Sequence, residues 1–151
     1  MLVAVAATGC ASSTVTVART STTASPTTQA TVIGEAPSDE VISLLEGRIA
    51  AWNRGDGKAA AAFYAEDGIL EETDNGLVTQ GRSRIAARLQ DLIDGGFTME
   101  TAGTPIQFGR VVVEPVNLIY QGQPGLYVLV FDLGPDGRLI DHQWAMPAAA
   151  M

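Results

Sequence analysis

The order of the predicted elements limits the fold of this chain more than any other feature of the sequence. Helical patterns gather in the first half of the chain, and strand patterns follow them. Four segments rich in Val, Ile, Tyr and Phe predict strands at 97–104, 111–120, 125–133 and 139–145. The turn Gly134-Pro135-Asp136-Gly137 separates the last two. Helices followed by strands predict an α+β fold, in which one antiparallel sheet carries its helices on one face.

Apolar spacing and capping residues predict three helices before these strands. Ser38 caps the first helix, and Asp56 caps a second, short helix that runs to about Ala65 through four consecutive alanines. Gly81 opens the third helix, which ends at Asp94-Gly95-Gly96. The helices should supply the layer that covers the sheet. The apolar stripes of the first and third helices are Val41, Leu44, Leu45, Ile49 and Trp52, and Ile85, Leu89 and Leu92.

A short hairpin is predicted between the second and third helices, with its first strand at 68–72. The side chains of a strand alternate between its two faces, so Leu70 and Glu72 share one face, and Ile69 and Glu71 share the other. If Leu70 points into the protein, Glu72 does so too. If Ile69 points inward instead, Glu71 becomes the buried acid.

The first 36 residues differ in composition from the rest of the chain. The apolar run Leu2–Ala7, with small residues before Cys10, resembles the end of a bacterial lipoprotein signal peptide, in which the cysteine carries the lipid. More than half of the residues from 11 to 33 are Ser or Thr, which predicts a disordered tether. We therefore expect a truncated signal segment at 1–10, a tether at 11–36 and one domain at 37–151.

This organisation predicts an extracytoplasmic lipoprotein of the cell envelope, attached to the membrane by lipid on Cys10. The alternative is a cytoplasmic chain with an apolar N-terminus and an incidental cysteine. The sequence leaves both interpretations open.

Charge and residue counts exclude several classes of function. All 17 acidic residues follow Gly34 and the net charge is −8, which argues against a nucleic-acid partner. One cysteine and one histidine cannot form a structural zinc site. The sequence also has no Gly-rich phosphate loop and no serine in a nucleophile elbow. It therefore predicts no metal and no cofactor.

Four motifs in order resemble the SnoaL-like branch of the nuclear transport factor 2-like superfamily, over about residues 38–146. The resemblance implies a cone, in which a strongly curved sheet wraps around a long helix and encloses a central apolar pocket. Members include ketosteroid isomerases, polyketide cyclases and non-catalytic ligand-binding domains, and many form homodimers, so a homodimer is expected as one option here. The motifs are Ala51-Trp52-Asn53-Arg54-Gly55-Asp56, Phe63-Tyr64-Ala65-Glu66-Asp67, Gly81-Arg82 before Ile85, and Asp136-Gly137-Arg138-Leu139-Ile140.

The resemblance also implies where catalytic groups would lie. The general base of the ketosteroid isomerases corresponds to Glu72, with Glu71 as the alternative. The position of their tyrosine corresponds to Arg48, and that of their second acid falls near Leu129, which has no acid beside it in the sequence. Both groups that stabilise the enolate are therefore expected to be missing, and loss of one such donor alone slows catalysis by about a hundredfold or more.

His142, the only histidine, is the second candidate catalytic residue. It shares a face of the last predicted strand with Ile140 and Trp144. It could converge with Glu72 in the pocket, or it could be a partly buried histidine that hydrogen-bonds a neighbour. The aromatic residues expected to line the pocket are Trp52, Phe63, Tyr120, Phe131 and Trp144.

Two functions follow from these observations. The first is a non-catalytic or accessory domain that binds a small hydrophobic molecule in an extracytoplasmic lipoprotein. The second is an isomerase, cyclase or lyase that uses Glu72 as general base, with help from His142. The direction of the Glu72 side chain discriminates between them.

Overall fold

A computed structural model describes residues 34–145 of the chain. The predictions for Cys10, for the signal segment and for residues 11–33 of the tether concern residues outside this part. None of the described helices is both long and apolar enough to cross a membrane.

The elements are α1 (Asp39–Asn53), α2 (Gly57–Ala61), β1 (Tyr64–Glu72), β2 (Leu77–Gln80), α3 (Arg82–Asp94), β3 (Phe97–Thr101), β4 (Ile106–Phe108), β5 (Val111–Tyr120), β6 (Gln123–Leu133) and β7 (Leu139–Ala145).

The strands form one curved, open sheet in the order β2-β1-β7-β6-β5-β3, and β4 also pairs with β5. The predicted α+β class is confirmed. The sheet is mixed, because β1 and β7 run parallel while the other pairs are antiparallel. The sequence predicted a sheet that is antiparallel throughout. Hairpins force antiparallel pairing on chain neighbours, but β1 and β7 meet only after the chain has passed through most of the domain, so no hairpin sets their direction.

Helix α1 packs against one face of the sheet, which we call the inner face. Trp52 lies at its C-terminal end, 5.7 Å from the ring of Trp144 on β7, and donates its indole N–H to the carbonyl of Phe97 (2.9 Å). The amide of Asn53 exchanges two hydrogen bonds with the backbone of Met99 on β3. These contacts fix the position and rotation of α1, and with them the side chains that it points at the sheet.

The second helix is shorter than predicted. It ends at Ala61, and β1 begins at Tyr64, although the run of alanines favours a helix to about Ala65. The carbonyl of Phe63 accepts a hydrogen bond from Leu139, and Tyr64 already pairs with β7. Pairing with the sheet therefore overrides helix propensity, and it turns Tyr64 into the core.

A proline inside a strand commonly marks a bend or a bulge, but β5, which contains Pro115, pairs with β6 without a register shift. On its other edge, β5 pairs with β3 up to Val116 and with β4 up to Val113, which leaves Pro115 at the gap between them. The Pro115 carbonyl accepts from Ala102 on this side. Proline has no backbone N–H to donate, but its nitrogen faces the gap between β3 and β4. No hydrogen bond between strands is therefore lost.

Candidate functional site

Four charged or polar side chains are buried between α1 and the inner face of the sheet or at its edge. They are Arg48 on α1, Glu72 on β1, Glu114 on β5 and His142 on β7, and each is at most 3% exposed. A buried charge or polar group is costly unless it is paired, so their partners decide what they can do.

Arg48 and Glu114 form an ion pair inside the protein. Nη2 of Arg48 donates to Oε2 of Glu114 at 2.9 Å, and Nη1 lies 3.6 Å from the sulfur of Met99. The guanidinium carbon lies 5.1 Å from the centre of the Phe131 ring, within the range of a cation–π contact. Burial raises the pKa of Glu114, and the neighbouring Arg48 only partly opposes this. The guanidinium Nε has no acceptor among residues 34–145.

His142 is completely buried, and its Nδ1 lies within hydrogen-bonding distance of two side chains. The hydroxyl of Tyr64 bonds to Nδ1, and the indole N–H of Trp144 donates to it at 3.4 Å. Burial lowers the pKa of His142 well below its ordinary value, and the charge of Arg48 adds to this. Burial likewise raises the pKa of Tyr64, so its hydroxyl keeps its proton. The ring is therefore neutral at physiological pH.

Glu72 points inward but is bound by a cation. Leu70 and Glu72 are buried, while Ile69 and Glu71 are partly exposed. Arg88 on α3 donates to both carboxylate oxygens of Glu72, at 2.6 and 2.7 Å, and Asn75 donates to Oε2 at 3.0 Å.

These bonds set the protonation state of Glu72. Burial raises its pKa, but the hydrogen bonds from Arg88 and Asn75 outweigh burial and leave the pKa below its ordinary value. No hydrogen bond in the described part of the chain joins Glu72 to His142. Each of the two candidate catalytic residues therefore has its own partners.

The five aromatic residues predicted to line a pocket lie in three different environments. Trp52, Phe131 and Trp144 are almost fully buried; Trp52 packs against Trp144, and both Trp144 and Phe131 pack against His142. Phe63 lies on the outside of α1, over Gly47, whose missing side chain makes room for the ring. Tyr120 is 44% exposed and stacks on Phe97 at the edge of the sheet.

Side chains fill most of the space in which a central apolar pocket was expected. A cavity of about 60 Å³ remains beside the ion pair, with room for about two water molecules. Glu114 forms part of its wall. The other lining residues come from α1 and from the chain around the β3–β4 connection: Ile42, Leu45, Glu46, Thr101 and Pro105.

Two larger concavities, of about 580 and 640 Å³, lie on the helical side of the domain. They are grooves lined by alanines and by charged side chains that pair locally, such as Asp136 with Arg138 and Glu66 with Arg82. Phe63 is the only predicted pocket residue that lines either of them. Neither groove reaches the buried polar groups of the inner face.

Glu114 and Tyr64 were missed by the sequence analysis. Leu129 has no acid beside it in the sequence, but it pairs with Glu114 across the β5–β6 ladder, so an acid does lie next to this position. The alternation of Val112, Glu114 and Val116 could have placed Glu114 on the buried face. Tyr64 was assigned to the end of the second helix, which hid its place opposite His142.

Among the described residues, no group of three or more His, Cys, Asp or Glu side chains is arranged to share a metal ion. The buried groups of the inner face instead form an ion pair and a hydrogen-bonded histidine.

Several solved structures resemble this domain, although no protein-family model matches the chain and no curated protein matches its sequence. A nuclear transport factor 2-like protein of unknown function from Burkholderia xenovorans is 20% identical, with a TM-score of 0.63 over 74% of this chain and 88% of that one. A putative ketosteroid isomerase from Kribbella flavida is 18% identical, with a TM-score of 0.65 over 76% and 82%.

A third similar structure contains a small molecule. It is a hypothetical protein with a ketosteroid isomerase-like fold from Catenulispora acidiphila, in complex with trimethylamine. It is 14% identical, with a TM-score of 0.58 over 68% of this chain and 83% of that one. Together these structures show that the chain has the nuclear transport factor 2-like fold, as the sequence motifs implied.

Proposed function

We propose that this domain is a non-catalytic module that binds a small, mostly apolar molecule at the inner face of the sheet, beside the Arg48–Glu114 ion pair. The observation that carries the proposal is the cavity of about 60 Å³ with Glu114 in its wall. A buried ion pair of this kind contributes little net stability compared with apolar packing, which is consistent with a binding role for Glu114 in the cavity wall.

The state of Glu72 argues against the alternative, an isomerase or lyase. A general base works best when its pKa is near the operating pH, whereas the pKa of Glu72 is lowered by its partners. Both oxygens of Glu72 accept from Arg88, so neither is free to take a proton from a substrate. Glu72 therefore serves as the anchor of α3 on β1.

The cavity must enlarge to admit a ligand bigger than two water molecules. Met99 borders the ion pair through its sulfur, and methionine has a flexible side chain that refills irregular spaces. The mouth lies between α1 and the β3–β4 connection, where Ile42 and Thr101 are partly or fully exposed. The trimethylamine complex of the Catenulispora protein supports small-molecule binding by this fold.

Native mass spectrometry of protein purified from its own host tests the proposal, together with thermal-shift assays against trimethylamine and small cyclic ketones. We expect a co-purifying molecule or a rise in Tm with at least one probe. Ile42→Trp should fill the cavity from its rim and abolish the shift. Leu126→Trp, at a position 50% exposed, is the matched control and should leave the shift unchanged. An empty protein with no shift for any probe contradicts the proposal.

Membrane attachment through lipid on Cys10 is a second part of the proposed function, supported by the sequence pattern before it. The full chain, expressed from its own gene, should sediment with membranes, and Cys10→Ser should release it to the soluble fraction. A wild-type chain that stays soluble after the membranes are pelleted contradicts this part. The predicted homodimer stays a prediction.

A further inference from the structure

We propose that residues 31–33, which immediately precede the described part of the chain, dock on an apolar corner of the sheet, with the side chain of Val32 against Phe108. The apolar corner consists of Ile106 and Phe108 on β4 and Val111 on β5. The inference is independent of the proposed binding function. It follows from the point at which the chain enters the domain and from the side chains that are exposed there.

The chain enters the domain along the free edge of β4. Glu35 and Gln107 form an antiparallel bridge, in which the N–H of Glu35 donates to the carbonyl of Gln107 at 2.9 Å and the N–H of Gln107 donates to the carbonyl of Glu35 at 2.8 Å. In an antiparallel pair, the residues before Glu35 run alongside the residues after Gln107. The chain that precedes Gly34 therefore starts beside Phe108 and the turn between β4 and β5.

The apolar corner lies on the outer face of the sheet, which is the face opposite α1. Phe108 pairs with Val111 across the β4–β5 hairpin, and Ile106 pairs with Val113. Paired side chains share a face, whereas Val112, between the two valines, is buried on the inner face. Ile106, Phe108 and Val111 are 43%, 37% and 37% exposed. Large apolar side chains that adjoin one another in this way form a candidate contact surface.

Gly34 brings the backbone directly against the apolar corner. A Cβ at this position would lie 2.7 Å from the ring of Phe108 and closer still to a methyl group of Ile106, so only a glycine fits here. The residues before Gly34 are therefore held covalently next to the corner. A covalently attached segment has a high effective concentration at an adjoining surface, which favours it over a second copy of the chain.

The sequence before Gly34 suits an apolar surface. Val32 and Ile33 are both apolar and β-branched, and such residues favour an extended chain. Side chains alternate along an extended chain, so Val32 should share the outer face with Gly34 and Phe108. The residues before Gly34 include no acid, so docking of residues 31–33 removes no carboxylate from water.

Docking would also protect the edge of β4. Within the described residues, β4 pairs with β5 on one side and has only the single bridge to Glu35 on the other. Unpaired strand edges pair with other chains and promote aggregation, and proteins commonly cover them. We therefore expect residues 31–33 to cover this edge as well as the corner.

NMR spectroscopy of the full chain tests the contact without any substitution. Nuclear Overhauser effects should join the methyl groups of Val32 to the ring protons of Phe108. A mixture of labelled and unlabelled chains separates contacts within one chain from contacts between two copies. Relative to their intrinsic rates, the amide hydrogens of residues 32 and 33 should exchange about tenfold more slowly than those of Val15 and Val17, in line with burial of one valine side chain.

Val32→Asp tests the same contact from the side of the segment, at a position outside the packed domain. The introduced charge should weaken docking, abolish the slow exchange at residues 32 and 33, and shift the signals of Ile106 and Phe108. Val17→Asp is the matched control, because it places the same charge in the same N-terminal region. It should leave the exchange and both signals unchanged.

Three results would overturn the docking of residues 31–33. The first is amide exchange at residues 32 and 33 as fast as at Val15 and Val17. The second is a Val32→Asp protein whose Phe108 signals match those of the wild type. The third is a set of Overhauser effects that joins Phe108 only to a second copy, which would assign the apolar corner to a contact between chains. The binding function is tested separately by the thermal shifts and stands or falls with them.

Discussion

Arg88 binds Glu72 through both of its carboxylate oxygens, with Nε–Oε1 and Nη2–Oε2 distances of 2.6 and 2.7 Å. This contact joins α3 to β1 and engages Glu72, the first candidate for the general base that the superfamily resemblance implied. The Glu72 side chain is 4% exposed and that of Arg88 is 26% exposed, so solvent screens the pair only in part. We therefore expect the Arg88–Glu72 contact to stabilise the folded domain.

Arg88→Met should destabilise the domain by about 1.5–3 kcal/mol near pH 7, the usual range for hydrogen bonds to a charged group. The folded-state pKa of Glu72 is lowered, so its contribution is present above the ordinary carboxyl pKa and is lost as the pH falls through the lowered value. Urea unfolding should thus show a difference between wild type and variant that is full near pH 7 and shrinks as the pH falls below the ordinary carboxyl pKa.

The matched control for this substitution is Arg84→Met on the same helix. Arg84 is exposed and takes part in none of the described ion pairs, so its loss should change the free energy of unfolding by less than about 0.5 kcal/mol. Equal stability of the two variants would show that the Arg88–Glu72 contact contributes nothing to the fold.

The inward direction of Glu72 could be read from the sequence, but its partner could not. Strand alternation links Glu72 to Leu70, and burial of an apolar residue then implies burial of the acid. Arg88 lies 16 residues away on another element, so its contact depends on how α3 packs on β1. In the sequence analysis Glu72 was a candidate base because its neighbours in space were unknown.

The ring of His142 should stay neutral in the native protein at pH 6.5, where half of the unfolded chains carry a proton on it. Burial lowers its pKa, while in the unfolded chain the ring titrates near the ordinary value of 6.5. Below that pH the histidine ring binds a proton in the unfolded state but not in the native state. Stability should therefore fall as the pH drops below about 6.5, by up to about 1.4 kcal/mol per pH unit from this group.

NMR titration of the single histidine checks this directly, with the urea-unfolded chain as the control. Arg48 on α1 and Tyr64 on β1 are the groups that face the ring from neighbouring elements. A native-state midpoint near that of the unfolded chain would mean that water reaches the ring, which contradicts the buried position of His142.

Gly57 should not tolerate a side chain, although it lies in a helix where alanine is normally favoured. A Cβ at this position would lie 2.7 Å from the backbone N of Gln90 and 2.9 Å from the carbonyl of Ala86, both on α3. Gly57→Ala should therefore destabilise the domain by about 1–3 kcal/mol, because α2 and α3 would have to move apart.

Gly125→Ala provides the control for the glycine substitution. Its Cβ would meet its nearest neighbour at 3.5 Å, an ordinary contact, and alanine restricts the unfolded chain more than glycine does. Thermal unfolding should show an unchanged or slightly higher Tm for Gly125→Ala and a lower Tm for Gly57→Ala. A Gly57→Ala protein as stable as wild type would mean that the two helices can separate at no cost.

The partners of the buried groups on the inner face could not be predicted from the sequence. The apolar stripe of α1 and the strand patterns sufficed for the fold class, because periodicity records burial. Glu114 lies at an alternating position of β5, but its role depends on Arg48, which is 66 residues earlier. Tyr64 was misassigned because pairing with Leu139, 75 residues later, outweighs local helix propensity. Contacts over such separations are set by packing.

Arg48→Met should be among the most destabilising single substitutions, because it leaves the Glu114 carboxylate buried without its partner. Breaking a buried ion pair in this way costs about 3–5 kcal/mol. Glu114 is 2% exposed and has a raised pKa, so we expect it to take up a proton in the variant, which limits the loss.

The double variant Arg48→Met with Glu114→Leu should recover most of that loss, since apolar side chains of similar volume replace buried ion pairs with little penalty. Urea unfolding of the wild type, the two single variants and the double variant gives the coupling between the residues. If the double variant is stable but has lost the thermal shift that the small-molecule probes cause in the wild type, the ion pair serves binding. A double variant no more stable than Arg48→Met would instead mean that Arg48 supports the fold through its contacts with Met99 and Phe131.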